Sequence, residues 1–347
     1  MQVLFIIAIL VLAFVIIFQI SKASEYVAVL RGWEKTRKQT NKINAFMLLA
    51  FLVLGLIGVY VCNEQFKGRI LGEPASDHGV LVDRMLYVTI AVTFVVFLIT
   101  QIALFWFSYK YQESDDRKAF FYPHNNTLEL IWTVIPAIAL TVLVGFGIVY
   151  WFRITGDAPK DAMQVEVVGK QFGWEFRYPG ADGILGKKYF KNVDPAAGNP
   201  AGQIWEDSTN KDDIFVEQEM HLVVGKPVKL IIGAKDVIHD VGLVHFRMKM
   251  DAVPGTPTTM WFTPKYTTKQ MKEMTGKPDF VYELSCDQMC GKGHWSMRGV
   301  VVVETQEEFD AWLASKKPQY LVANPDKDPS TKKPETPAAP TSDVASN

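Results

Sequence analysis

Four stretches of the chain, residues 1–21, 43–62, 85–108 and 130–152, contain no Asp, Glu, Lys or Arg. A helix rises about 1.5 Å per residue, so each stretch predicts a helix able to cross a hydrocarbon core of about 30 Å. The first is also placed where a signal peptide would be. It lacks a basic leading segment and a small-residue cleavage site, and its apolar run is longer than such a peptide needs, so it reads as a retained span. Pro136, inside the fourth stretch, predicts a kink. Beyond about Met163 the texture changes to short β-rich runs broken by Gly and Pro, at 164–172, 227–233, 245–250, 280–285 and 298–304. Several alternate apolar and polar residues, as half-buried antiparallel strands do, and they predict a sandwich or barrel of Greek-key type. Residues 186–212 read as a surface excursion and 263–279 as an insertion. Residues 305–316 read as one short amphipathic helix with acidic residues in its first turn. The last 30 residues hold six of the 18 prolines, which predicts a disordered tail over 317–347.

The 36 basic residues balance 37 acidic ones, giving a net charge of −1 and excluding nucleic acid as the default partner. Mean hydropathy is only +0.08, yet it averages charge-free windows with polar segments, and the windows exclude a wholly soluble protein. Lys22, Arg31, Lys35, Arg37, Lys38 and Lys42 make the densest basic cluster of any short connecting loop. The positive-inside rule puts them in the cytoplasm, so everything after Phe152 lies outside, on the periplasmic side of a bacterial inner (plasma) membrane that the chain crosses several times. The expected plan is two N-terminal helices with a basic cytoplasmic loop (1–62), a transmembrane hairpin (85–152), an outward β domain (155–316) and the tail.

Chemistry concentrates in SCDQMCGKGHWSM, where Cys286 and Cys290 are followed by His294 and Met297. Thiolate, imidazole and thioether are soft donors that select copper. Two thiolates with a methionine differ from a Cys/His zinc set, and from a blue-copper loop with its single cysteine. On the cysteines alone, a structural disulfide is an equal reading in an oxidising compartment. The His and Met at fixed offsets favour the metal. Cys62 reads as a packed free thiol, and His78, His124 and His221 are given no ligand role.

These residues resemble subunit II of the haem–copper oxygen reductases, the cytochrome c oxidases that carry the dinuclear CuA centre. The Cys-x3-Cys-x3-His-x2-Met pattern stands at 286–297, and DVIHD supplies His239 at the place of the family's upstream histidine, in preference to His245. HNNTLELIWTVIP (124–136) is similar to the segment leading into the family's last span, and GKQFGWEFRYPG (169–180) to the aromatic stretch after it. The resemblance, covering about 85 to 325, implies a cupredoxin-like Greek-key barrel on transmembrane helices. It implies that Cys286 and Cys290 bridge two coppers, that His239 and His294 each bind one, and that Met297 and the Gln288 carbonyl are weak ligands. It further implies electron transfer from cytochrome c, or a c-type cytochrome domain, to the haem–copper centres of subunit I. Oxygen reduction to water and proton pumping would follow there, in company with the other oxidase subunits and the lipid bilayer.

The chain departs from the family in two places. Gln288 stands where a Glu usually reaches a magnesium site shared with subunit I, which weakens that site because an amide binds a hard dication less well than a carboxylate. Phe172 stands at the first Trp of the aromatic stretch, the family's electron intake point, with Trp174 two residues on. Glu129 matches the carboxylate near the mouth of a proton path, although a Glu is also favoured at a helix N-terminus for its own sake. The competing function is a membrane-anchored copper carrier or copper-delivery protein, which would need only one anchor. The cysteines argue against a quinol-oxidising relative, and the absence of Cys-x-x-Cys-His argues against a fused c-type haem.

Overall fold

The computed structural model describes residues 2–68 and 71–329. Four long helices come first: α1 (Gln2–Arg31), α2 (Trp33–Phe66), α3 (Asp77–Lys110) and α4 (Asn126–Thr155). All four are long and apolar enough to cross a membrane. Each runs past its charge-free window, because Lys, Arg, Glu and Gln are good helix formers and hydropathy fades before helicity does. The basic segment 22–42 is therefore not a loop but helix on both sides of Gly32, which breaks α1 from α2 at φ 88°. The chain continues as α4 on both sides of Pro136. Residues up to 70 together with 86–144 make one compact unit. Inside it, Arg37 on α2 pairs with Glu113 at 2.9 Å and Asp115 at 3.2 Å, in the connection that follows α3.

The second unit comprises 71–85 and the chain from 145 onward. Its strands are β1 (Met163–Lys170), β2 (Gly173–Tyr178), β3 (Ile214–Glu217), β4 (Glu219–Val223), β5 (Val228–Ala234), β6 (His239–Leu243), β7 (Met248–Ala252), β8 (Thr258–Phe262), β9 (Tyr282–Cys286) and β10 (Arg298–Glu304). They form two five-stranded sheets, ordered β3-β2-β1-β5-β8 and β4-β10-β9-β6-β7. Residues such as Val165, Val167, Trp174, Phe176, Leu230, Val241, Leu284 and Val301 are buried in the shared core. The sheets are not wholly antiparallel. β1 runs parallel to β5 and β10 parallel to β4, the mark of chain crossovers that strand alternation alone does not reveal. The expected Greek-key, cupredoxin-like sandwich is the architecture observed.

Three helices decorate it. α5 (Thr268–Thr275) occupies the stretch read as an insertion, opened by a Thr267/Gln270 capping box and closed at left-handed Gly276. α6 (Gln306–Ala314), the amphipathic helix expected over 305–316, opens with a second box, Thr305/Glu308. α7 (Gln319–Ala323) and the turn that follows correct the expectation of disorder from 317. Gln319 donates its N–H to the Asp213 carbonyl at 2.9 Å and its side-chain amide to the Gly198 carbonyl at 2.6 Å. Prolines 318 and 325 stand at helix starts, where a missing N–H costs nothing. The rest of the predicted tail, 330–347, lies outside the described residues.

Two tethers shape this unit. Residues 71–85 are stitched to the sandwich. Ala75 N–H donates to the His245 carbonyl, and Lys265 N–H to the Ala75 carbonyl, both at 2.8 Å. Arg247 donates to both carboxylate oxygens of Asp83, at 2.8 and 3.0 Å, and to the Gly72 carbonyl at 2.7 Å. The excursion 186–212 is likewise held down. Buried Arg177 reaches Glu166 at 2.7 Å, Asp213 at 2.6 Å and the Gly186 carbonyl at 2.8 Å, with Lys188 closing on Glu166 from outside. Removing one partner of such a cluster leaves a buried charge uncompensated. Arg177→Met is expected to destabilise the sandwich by about 3–5 kcal/mol and to expose 186–212 to limited proteolysis. Wild-type resistance in that variant would contradict the assigned role.

Candidate metal centre

β9 ends at Cys286 and β6 begins at His239, and these strands are neighbours, with Val241 opposite Cys286. The loop 287–297 leaves β9 and returns into β10, its antiparallel partner, closed by the Cys286 N–H on the Met297 carbonyl at 3.1 Å. Strand pairing therefore gathers donors that are 47 residues apart in sequence. The Cys286 and Cys290 sulfurs are free thiols 3.8 Å apart. His239 Nδ1 lies 3.8 Å from Cys286 Sγ, and His294 Nδ1 lies 3.7 Å from Cys290 Sγ. The Gln288 carbonyl is 3.2 Å from Cys286 Sγ, and Met297 Sδ is 3.8 Å from Cys290 Sγ. His239, Cys286, Cys290 and Met297 are buried, while His294 is partly exposed. The donor atoms of His239, Cys286 and Cys290 all fall within 4.8 Å of one another. A set of three sulfurs, two imidazoles and one carbonyl fits copper.

Residues without a distinctive sequence signature hold this set in place. His239 Nε2 sits 2.8 Å from Asp236 Oδ1, and donating its Nε2–H to that carboxylate leaves the Nδ1 lone pair facing the sulfurs. Burial would raise the pKa of Asp236, but hydrogen bonds from His239 and from the Gln171 and Val237 N–H groups hold it below the usual range. Gln171 makes a second link, its side-chain amide donating to the Cys290 carbonyl at 2.5 Å. Gly169 on β1 leaves room for the His239 ring, since a Cβ there would lie 2.9 Å from ring Cδ2. Burial, reinforced by the adjacent Cys286, pushes the Cys290 thiol up to about 11, so a metal binding here must displace a proton. Asp236 stands three residues before His239, and Gln171 immediately before Phe172. Neither position has a spacing rule that marks it in the sequence.

The two aromatic candidates separate. Phe172 is 41% exposed and rests on the loop, where a Cβ on Gly293 would lie 2.6 Å from its ring. Trp174 is 0% exposed, with its ring edge-on to His239 at 6.1 Å between centroids. Alternation turns Trp174 into the core, so of the two candidates only Phe172 can touch an external donor. Glu129 lies in the first turn of α4. Asn125 Oδ1 accepts the Leu128 N–H at 3.0 Å, and Glu129 Oε1 accepts the Asn125 N–H at 3.5 Å. His221 stacks on Trp312 and bonds Glu304, His78 packs on Trp261, and His245 packs on Phe280 and Tyr282. Cys62 is exposed on its helix rather than packed.

The family described as cytochrome C oxidase subunit II, transmembrane domain, matches residues 74–148, and the one described as its periplasmic domain matches 163–305. The alternative cytochrome c oxidase subunit 2 of Bradyrhizobium diazoefficiens is 31% identical over 245 residues, spanning 70% of this chain and 83% of that protein. The chain belongs to the cytochrome c oxidase subunit II family. The cytochrome c oxidase subunit 2 of Thermostichus vulcanus is 29% identical over 291 residues, 76% of this chain and 83% of the relative. The periplasmic domain of subunit II of cytochrome oxidase (CoxB) from Bradyrhizobium japonicum aligns with a TM-score of 0.32 at 21% identity, over 47% of this chain and 99% of that one. As a subunit II the protein is a membrane-anchored part of a respiratory oxidoreductase, working with other oxidase subunits, and its β domain implies a copper centre. Helices α1 and α2 precede the matched transmembrane domain.

If Asp236 orients His239, Asp236→Ala will lower copper affinity by about 10–100-fold while the β-sheet circular dichroism stays unchanged. Gly169→Ala, which drives a methyl against the same ring, is expected to act in the same direction. Unchanged copper retention in both variants would exclude the ring-positioning account.

Proposed function

We propose that His239, Cys286, Cys290, His294, Met297 and the Gln288 carbonyl hold two copper ions, and that the chain takes single electrons from cytochrome c or a c-type cytochrome domain and passes them to subunit I. The observation carrying this reading is the doubled arrangement about the sulfurs. Each thiol has its own imidazole nitrogen, at 3.8 or 3.7 Å, and its own weak donor, the Gln288 carbonyl or Met297. One ion would need one focus, whereas two half-sets about a shared sulfur pair would suit two ions. When bound, the copper pair supplies a one-electron acceptor whose charge spreads over both metals. The chain's own contribution is to keep the donors still and dry. β6, β9 and β10 fix their spacing, Asp236 fixes the tautomer of His239, and burial excludes water from the sulfurs.

The chain crosses a bacterial inner membrane more than once, with the β domain in the periplasm, an orientation supported by the basic segment 22–42. Glu129 is assigned to the mouth of a proton path in subunit I, in addition to its part in the α4 cap. The magnesium site shared with subunit I is weakened by Gln288, whose exposed side chain offers a neutral amide. A free copper carrier is disfavoured, because four long apolar helices exceed what a tether needs.

In the purified oxidase, Cys286→Ser should lose the two-copper stoichiometry and the mixed-valence signal, whereas Gln288→Ala should keep both. Retention of both coppers in the serine variant would overturn the bridging assignment. Purification of the chain without any haem-bearing subunit would favour the carrier.

A further inference from the structure

Trp295 is 87% exposed, an anomalous setting for the largest amphipathic side chain, and it immediately follows His294. It sits in the short 3-10 turn His294–Ser296, pinned by the Ser296 and Met297 N–H groups on the Gly293 and His294 carbonyls, at 3.1 and 3.2 Å. Its exposure therefore belongs to an ordered turn. Other large apolar side chains are exposed on the same segments that surround the sulfurs: Met289 on the cysteine loop, Val237 and Ile238 just before His239, and Phe172 against Gly291 and Gly293. Hydrogen bonds bind these segments together, through Gln171 to both Asp236 and the Cys290 carbonyl. Such a patch on a protein surface marks a docking face, and tryptophan is the residue type most enriched among contacts that dominate binding.

We infer that Trp295 is the principal contact and electron-intake residue for the donor, a one-electron haem protein whose cofactor edge is exposed within an apolar rim. The inference rests on the electron-accepting role proposed above. What commits the patch to that occupant is its continuity with the donor set. An indole seated there reaches the ring of His294 through one peptide unit of unbroken covalent structure, and His294 Nδ1 faces Cys290 Sγ at 3.7 Å. Phe172 has no such link, since it approaches the loop only by packing. In the step itself, one electron leaves the reduced haem of the donor and one is gained by the copper pair. The indole bridges them without being oxidised or reduced, no bond forms, and no proton moves.

The test uses the assembled oxidase, solubilised and in native membranes, with reduced cytochrome c as the added probe. Respiration driven through the resident membrane donor is followed alongside. Trp295→Ala is expected to raise the KM for cytochrome c about tenfold or more and to slow membrane respiration at limiting donor, while copper stoichiometry and spectrum stay as in wild type. Trp295→Phe should recover most of the loss, and Phe172→Ala should cost less than Trp295→Ala. Wild-type KM and respiration in Trp295→Ala, or a larger loss in Phe172→Ala, would overturn the inference. Loss of copper in Trp295→Ala would also overturn it, by making the residue a structural cap. Absence of a paired-copper signal from the wild-type oxidase would instead overturn the electron-accepting role itself.

Discussion

Everything distinctive about this chain depends on keeping two cysteine sulfurs 3.8 Å apart without joining them. Short loops do not hold such a distance by themselves. Here the spacing is inherited from sheet geometry, because Cys286 is the last residue of a strand hydrogen-bonded to both β6 and β10. The loop starts from one fixed rail and returns to its neighbour. His239 comes from a third position on the same sheet, so its distance to the thiols is set by interstrand spacing. The metal loop is thus the small variable part of a framework whose dimensions are fixed by backbone pairing.

The same logic extends outward. A centre that exchanges electrons gains from surroundings that do not rearrange, and the structure supplies restraint in layers. Asp236 and Gln171 hold the ring and the loop backbone. Trp174 backs the ring from the core. The stitched segment 71–85 and the Arg247–Asp83 pair join the start of α3 to the sandwich. In the excursion 186–212 the restraint is ionic, centred on a buried guanidinium that serves two carboxylates.

How far the sequence discloses this depends on the range of the interaction. Period-two runs announce most strands, and Thr305 with Glu308 announces α6, because those signals are local. Four of the proposed donors are legible for the same reason, since Cys286, Cys290, His294 and Met297 lie within one loop, whereas His239 comes from a separate strand. Pairing direction was not. The parallel partners β1/β5 and β4/β10 are joined through distant chain, and no side-chain pattern encodes their sense. The supports of the centre were hidden likewise, because Gln171 and Asp236 are 65 residues apart and each is unexceptional alone. Trp174 stands two residues from Phe172 in the chain, yet it lies in the core while Phe172, just ahead of β2, stays partly exposed. Helices α1 and α2 outran their hydropathy windows because charge ends a hydrophobic run without ending a helix. Trp295 carried the opposite signal, an indole in a polar loop, whose meaning emerged only with its exposure.

Gly169 has a wider significance than its size suggests. Its lack of a side chain is the space that the His239 ring fills, so at this spot the strand is shaped by what it omits. Here even a single added carbon competes with a ligand. The emptied volume beside the ring is thus part of the site, although no atom of residue 169 donates to it.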